Sequence, residues 1–174
     1  QGFDIVIIGA GAAGMMCAIE AAKKSKSVLV LEHSNKVGEK IRISGGGKCN
    51  FTNLNIAQEN FLSGNPKFAT SALSRYTQHD FIRLVESANI SYHEKTLGQL
   101  FCDGSSKQII KMLIDKMVES NVQLRLNSKI KSINYEGGFK LFLEDFNITT
   151  KSLVVACGGK SIPKIGATNL GYLI

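Results

Sequence analysis

Residues 3–32 read FDIVIIGAGAAGMMCAIEAAKKSKSVLVLE, and the organisation of the chain turns on this stretch. Phe3 to Ile8 is a short run rich in β-branched residues and closed by glycine. It reads as a strand buried on both faces, as a parallel sheet requires. Alanine, methionine and charged residues from Ala12 to Lys24 favour helix, and Met15, Ile19 and Ala22 recur on one helical face. Ser27 to Leu31 is a second buried strand, ending at Glu32. Together they predict one βαβ unit with a right-handed crossover.

Gly9, Gly11 and Gly14, with Ala10, Ala12 and Ala13 between them, form GxGxxG between strand and helix. Gly9 permits the tight turn, Gly11 lets a pyrophosphate approach the backbone, and Gly14 lets the helix pack close to the sheet. The helix N-terminus, with free N–H groups and the positive end of its dipole, favours an anion. The spacing alone also fits a tight turn without a ligand. The preceding strand, the following helix and Glu32 about 20 residues on point to a dinucleotide site. A carboxylate there accepts hydrogen bonds from ribose hydroxyls and repels a 2′-phosphate.

Working outward, residues 43–53 read ISGGGKCNFTN. Each such glycine weakens a helix or strand by about 1 kcal/mol relative to alanine. The stretch lies past the second strand, where ligands of open parallel sheets collect. Lys40 and Lys48 suit phosphates, and Ser44 and Asn50 suit phosphate or a ribityl chain. A mobile glycine loop is the alternative. Residues 156–163, ACGGKSIP, form a second glycine turn after a buried strand, where Gly158 and Gly159 would admit a ligand or simply make a turn.

The remaining chain predicts helices over Lys67–Tyr76 and Asp80–Asn89, the second capped by Thr77, and a hairpin within Ser91–Phe101. A further helix begins at Ser105 or Ser106 and runs to about Ser120. A return strand in VQLRLN precedes a β-meander of KIKSINY and GFKLFLE joined at EGG, and KSLVVAC is a last buried strand. His33 to Pro66 shows little periodicity and reads as a long connection.

The chain has 174 residues, 44% hydrophobic and 20% charged, with a net charge of +7. These values fit one globular domain, or one with a small appendage. No apolar run reaches the roughly 20 residues of a membrane span, and residues 3–22 lack the basic flank and cleavage site of a signal peptide. The lysines are dispersed without aromatic interleaving, so a solvated surface is expected rather than a nucleic-acid site. Cys17, Cys49, Cys102 and Cys157 form no CxxC pair and share no ligand spacing with His33, His79 and His93. No metal centre and a reduced cytoplasmic compartment are therefore expected. No GxSxG hydrolase elbow is present.

The combination of GAGAAG, Leu31-Glu32, GEKIRISGGGKCNFTN and ACGGKSIPKIGATNLGY resembles the bacterial NAD(P)/FAD-dependent oxidoreductases of the BaiN/aminoacetone-oxidase-like group. The resemblance implies an α/β fold: a Rossmann-like FAD-binding domain of the glutathione-reductase type, a central parallel sheet plus a β-meander. It implies that residues 1–174 are the N-terminal FAD-binding part of a chain roughly twice as long, the substrate-side domain and a C-terminal FAD segment lying beyond. Carried over by position, Gly9, Ala10, Gly11, Ala12, Ala13 and Gly14 hold the pyrophosphate and Glu32 the adenosine ribose. Lys40 and Ser44, Gly45, Gly46, Gly47, Lys48, Cys49 and Asn50 wrap the diphosphate and flavin side. Ile130 offers backbone contacts to adenine, and Ala156, Gly158 and Gly159 pass near the FAD. Cys157 stands where threonine is common, and Cys102 where proline is common. Flavin disulfide reductases carry two cysteines about five apart near Cys49. With no such partner, Cys49 is expected to be a packing residue.

The expected function is a flavin-dependent oxidoreductase passing hydride between NAD(P)H, flavin and a small organic acceptor or oxygen, with no catalytic acid or base identifiable. An NAD-binding dehydrogenase fragment and a non-enzymatic RNA-associated flavoprotein are the alternatives.

Overall fold

The computed structural model describes residues 1–24, 26–159 and 171. The ACGGKSIPKIGATNLGY motif beyond Gly159, Gly171 apart, lies outside them. The chain divides into two compact units, Gln1–Ile41 with Leu113–Ile174, and Arg42–Met112. In chain order the elements are β1 (Gly2–Ile8), α1 (Ala12–Ala22), β2 (Val28–Leu31), α2 (Glu39–Ile43), β3 (Asn50–Asn53), α3 (Thr70–Arg75) and α4 (Gln78–Ser87). They continue with β4 (Tyr92–Glu94), β5 (Gln99–Cys102), α5 (Ser106–Glu119), β6 (Gln123–Arg125), β7 (Ile130–Tyr135), β8 (Phe139–Leu143) and β9 (Asn147–Val155).

The first unit holds a six-stranded sheet ordered β6-β2-β1-β9-β8-β7. Its first four strands are mutually parallel, and β8 and β7 add antiparallel. This is the expected α/β architecture with its β-meander, and the EGG turn closes with Glu136 N–H donating to Gly138 O at 3.0 Å. The β1–β2 register pairs Val6 with Leu29 and Ile8 with Leu31, so these four side chains share a face. With Phe3, Leu141, Leu143 and Ile148 they form one buried cluster, each contributing about 1.5–3 kcal/mol of hydrophobic stabilisation. Ile7 and Val30 occupy the opposite face and are also fully buried. α1 lies against β1 and β2 and buries Met15, Ala18 and Ile19. β9 departs from the expected continuous burial. Ile148 and Thr150 are buried while their neighbours are exposed, and Val155 is 45% exposed. That alternation belongs to a strand with one solvated face.

Two of the motif glycines are required by packing. A Cβ on Gly14 would lie 1.9 Å from the Gly9 carbonyl oxygen. Gly9 has φ +105°, and a Cβ there would lie 2.6 Å from the Ala156 carbonyl oxygen. At the opposite end of the sheet, Asp4 and Ser27 lock the starts of β1 and β2. The Asp4 carboxylate accepts from the Ser27 amide at 3.1 Å and its hydroxyl at 2.8 Å, and Lys151 Nζ lies 3.4 Å away. The bonds from Ser27, then Lys151, hold the Asp4 carboxyl down at about 2.

The second unit contains a three-stranded antiparallel sheet ordered β3-β5-β4. The hairpin within Ser91–Phe101 is as expected. The long connection from His33 is not structureless, because it contains α2, β3 and 3₁₀ turns at Ser44–Gly47 and Gln58–Asn60. Elements of three to five residues are too short to display a period. The helix expected from Lys67 starts only at Thr70, after turns in which Phe68 N–H bonds Asn65 O and Thr70 N–H bonds Lys67 O. Thr77 caps α4 reciprocally with Asp80: its hydroxyl oxygen accepts from the Asp80 amide at 3.3 Å, and Asp80 accepts from the Thr77 amide at 2.7 Å. Phe51 on β3 meets Phe81 on α4 and, edge-on, Tyr92 on β4.

Two outcomes follow from these contacts. Gly14→Ala should destabilise the protein by about 3 kcal/mol, because the added methyl overlaps backbone that cannot turn away. Gly11→Ala, which meets no atom but replaces a helix N-cap, should cost no more than about 1 kcal/mol. Urea denaturation followed by circular dichroism checks both, and equal midpoints for the two variants would refute the packing assignment. For Asp4, a carboxyl held at about 2 against an ordinary 3.8 stabilises the fold above pH about 4, and that contribution is lost as pH falls through about 2. The stability gap between the parent and Asp4→Asn should be constant above pH 4 and close towards pH 2 in an acid titration.

Candidate functional site

β1, β2 and β9 are neighbours and parallel, so their carboxyl ends lie side by side. Gly9, Glu32 and Ala156 follow those ends directly. The ladder continues through them, with Gly9 N–H donating to Leu31 O and Ala156 N–H to Ile8 O, both at 2.8 Å. A cleft of about 310 Å³ opens at this edge, the ligand-bearing edge of an open parallel sheet.

The cleft gathers Gly9, Ala10, Gly11, Ala12, Ala13, Glu32, Lys40, Ile130, Ala156 and Gly158, all expected from the sequence. Gly14 is not on its wall, because it faces the Gly9 carbonyl. Gly159 is not on its wall either; its carbonyl accepts from Lys40 Nζ at 3.3 Å.

Gly11 differs from the other two motif glycines. Its φ of −83° is open to any residue, and a Cβ built on it meets nothing within 4 Å. Neither backbone nor packing asks for glycine there, so the space it leaves suits a ligand pressed against the backbone. Gly11 is also the N-cap of α1, with no side-chain cap and no acidic residue in the first turn. The first-turn N–H groups have no intrahelical partner, and the helix dipole adds a partial positive charge. Lys36 and Lys40 line the same cleft. This donor set fits a diphosphate.

Glu32 is 7% exposed and joins three loops. One carboxylate oxygen accepts from Ala10 N–H at 2.8 Å and the other from Ser34 N–H at 2.9 Å. Its carbonyl accepts from Ser128 N–H at 2.8 Å. A carboxylate offers about four lone-pair sites, so acceptor capacity for ribose hydroxyls remains. His33 Nδ1 lies 2.9 Å from the second oxygen.

His33, Ser34, Lys36, Gly38, Ser128 and Cys157 also line the cleft and were not singled out from the sequence as cofactor contacts. Gly38 has φ +67°, and its N–H donates to Ala10 O at 2.9 Å, folding the segment after Glu32 back onto the glycine turn. The signal available was Gly38 six residues beyond Glu32, a turn residue in a stretch without period.

In the second unit, Gly45, Gly46 and Gly47 have φ of 57°, 66° and 88°. A Cβ on Gly45 would lie 2.6 Å from the Phe101 ring, whereas Gly46 and Gly47 meet nothing within 4 Å. Gly45 is therefore glycine for an aromatic ring of its own unit. Lys48 Nζ donates to Asp103 O at 2.6 Å, and Asn50 pairs with Phe101 in the sheet. Cys49 is buried. Burial raises its thiol, against a smaller lowering by a bond from Ser44. Burial, then the neighbouring Cys49 and Asp103, pushes Cys102 up to about 11. Neither thiol is disposed to act as a thiolate.

Among the described residues no His/Cys/Asp/Glu group could hold a metal ion, and no helix is long and apolar enough to cross a membrane.

Residues 3–174 match the HI0933-like protein Rossmann domain. The chain is 50% identical over 173 residues to the ribosomal RNA dihydrouridine synthase of Escherichia coli (strain K12), an alignment covering 99% of this chain and 43% of that protein. It is 25% identical over 175 residues to the 3-dehydro-bile acid delta(4,6)-reductase of Clostridium scindens, covering 98% of this chain and 42% of that protein. Among solved structures, the 3-ketosteroid-delta4-(5alpha)-dehydrogenase from Rhodococcus jostii RHA1 shares the fold with a TM-score of 0.65 at 16% identity, over 91% of this chain and 46% of that one. The chain thus spans less than half the length of these relatives. With its sheet order, its cleft at the carboxyl ends of β1, β2 and β9 and this match over nearly its whole length, the chain belongs to the HI0933-like protein Rossmann-domain family.

Proposed function

We propose that residues 1–174 are the FAD-binding part of a flavin-dependent reductase. The full-length enzyme takes hydride from NADH or NADPH and delivers it to a carbon–carbon double bond conjugated to a carbonyl, with uridine in ribosomal RNA as the acceptor. The observation that carries this reading is the 50% identity, over 99% of the chain, to a protein named for making dihydrouridine in ribosomal RNA. Dihydrouridine is uridine with two hydrogens added across one ring double bond next to a carbonyl. A delta(4,6)-reductase of a 3-dehydro-bile acid acts on the same class of bond. This common chemistry also accommodates the narrower resemblance to the BaiN/aminoacetone-oxidase-like group, and it favours a reductase over a plain NAD-binding fragment or an oxidase whose acceptor is oxygen. RNA as substrate departs from the expectation that nucleic acid is not a partner. The reaction is assigned to the cytoplasm.

FAD, when bound, supplies the hydride-transfer chemistry. The residues of this chain hold and orient it. The uncapped N-terminus of α1, with Gly9 to Ala13 and Lys40, takes the diphosphate. Glu32 accepts from the adenosine ribose hydroxyls, which hydrogen-bond a carboxylate with about 1.5–3 kcal/mol each. The Ile130 backbone meets adenine, and Ala156 to Gly159 flank the cofactor. The reading extends to Ser44–Asn50, where Gly46 and Gly47 leave their Cβ positions open and a ligand would meet bare backbone.

Gly11→Val should lower FAD content at least tenfold with the fold intact, as measured by released flavin and circular dichroism. Parent-like flavin in a folded variant would refute the diphosphate assignment. The reaction is checked by nucleoside mass spectrometry of ribosomal RNA from cells with and without the full-length protein. The expected outcome is loss of a nucleoside two hydrogens heavier than uridine in the deletion strain, restored by the parent gene and not by the Gly11→Val gene. Identical nucleoside profiles, alongside an unchanged flavin requirement for a small enone substrate, would move the acceptor to small molecules.

A further inference from the structure

Resting on RNA as the substrate, we infer that residues 61–76 of the second unit form a stacking platform for single-stranded RNA. From Phe61 to Phe68 every residue is exposed, and none from there to Tyr76 is buried. Yet the segment is not polar. Leu62 is 94% exposed, Phe68 81% and Phe61 46%. Large side chains exposed this far forgo the roughly 1.5–3 kcal/mol that burial gives each of them, so a segment that carries three of them within eight residues is suited to being covered by something else.

The segment is also held in place. The Gln58 side-chain amide donates to Pro66 O at 2.9 Å and accepts from the Thr70 hydroxyl at 2.6 Å. One residue thus clamps both the approach to α3 and its first turn. Ser63 and Asn65 close the loop between, the Ser63 hydroxyl donating to Asn65 O at 2.7 Å and Asn65 Oδ1 accepting from Lys67 N–H at 3.1 Å. The aromatic rings are therefore presented on a fixed loop, so little ordering entropy is lost when a partner arrives.

Charge selects the partner. Between Glu59 and Asp80 the sequence contains Lys67 and Arg75 and no carboxylate. A segment that carries two cations, exposed aromatic rings and no acid matches what a single-stranded nucleic acid presents: a polyanionic backbone and bases with π-faces.

The test uses the full-length protein and a fluorescein-labelled 12-nucleotide oligouridine, read by fluorescence anisotropy at fixed salt. Phe68→Ala and Phe68→Leu should each weaken binding about tenfold, while Phe68→Tyr, which keeps the π-face, should bind like the parent. Lys67→Ala should lower the slope of log affinity against log salt by about 1. Phe68 is exposed, so all these variants should fold. If the parent binds and all Phe68 variants bind equally, the platform is wrong and RNA as substrate survives. If the parent does not bind the oligonucleotide, the RNA reading itself fails. If Phe68→Leu binds like the parent while Phe68→Ala does not, the face is merely apolar and stacking is excluded.

Discussion

Where α1 crosses the end of β1, its backbone comes so close that a single methyl on Gly14 would collide with the carbonyl of Gly9. On its other side Gly9 is pressed by the carbonyl of Ala156, at the end of β9. Three elements therefore meet through bare main chain. This contact sets the distance between helix and sheet, and with it the aim of the helix N-terminus at the cleft. A helix set even one side chain farther away would carry its free N–H groups off the edge of β1, β2 and β9. Gly11, between the two crowded glycines, faces open space instead. The motif thus divides: Gly9 and Gly14 are demanded by packing, and Gly11 leaves open space on the cleft.

Glu32 performs the complementary task from the next strand. A buried carboxylate is costly unless it is hydrogen-bonded, and this one is satisfied by main-chain N–H groups of Ala10 and Ser34. Those bonds pin the glycine turn to the end of β2, so the residue we propose for the ribose also fixes the turn we propose for the diphosphate. Binding and preorganisation are then inseparable at this position, and any substitution of Glu32 acts on both.

Much of this was legible in the sequence because it rests on local signals. The βαβ unit showed itself through a β-branched run, a helical face and a second apolar run, and the structure places them as read. Thr77 was legible as a cap from its place before a polar first turn, and EGG as a hairpin. What was not legible arises from long-range assembly. β3 joins β5 across nearly fifty residues of sequence, and no periodicity survives in a strand of four residues. Gly45 looked like its two neighbours. Only the ring of Phe101, distant in sequence, separates it from Gly46 and Gly47. His33 and Lys36 were overlooked beside Glu32 because their place on the cleft wall depends on the turn at Gly38. The burial of β9 was overestimated because an apolar run does not say how many of its faces are covered.

The position of β1 in the sheet also bears on how the chain is made. β1 lies between β2, which follows it almost at once, and β9, which is complete only at Val155. During synthesis at about 5–20 residues per second, β1 and β2 are available to pair early. The other edge of β1, the main-chain groups that later pair with β9, then waits on the order of ten seconds for its partner. An unpaired apolar edge of this kind is open to any extended segment in reach. The strand at the centre of the finished sheet is thus its most exposed edge while the polypeptide is still being translated, and its nascent form is the state in which chaperone attention would matter most.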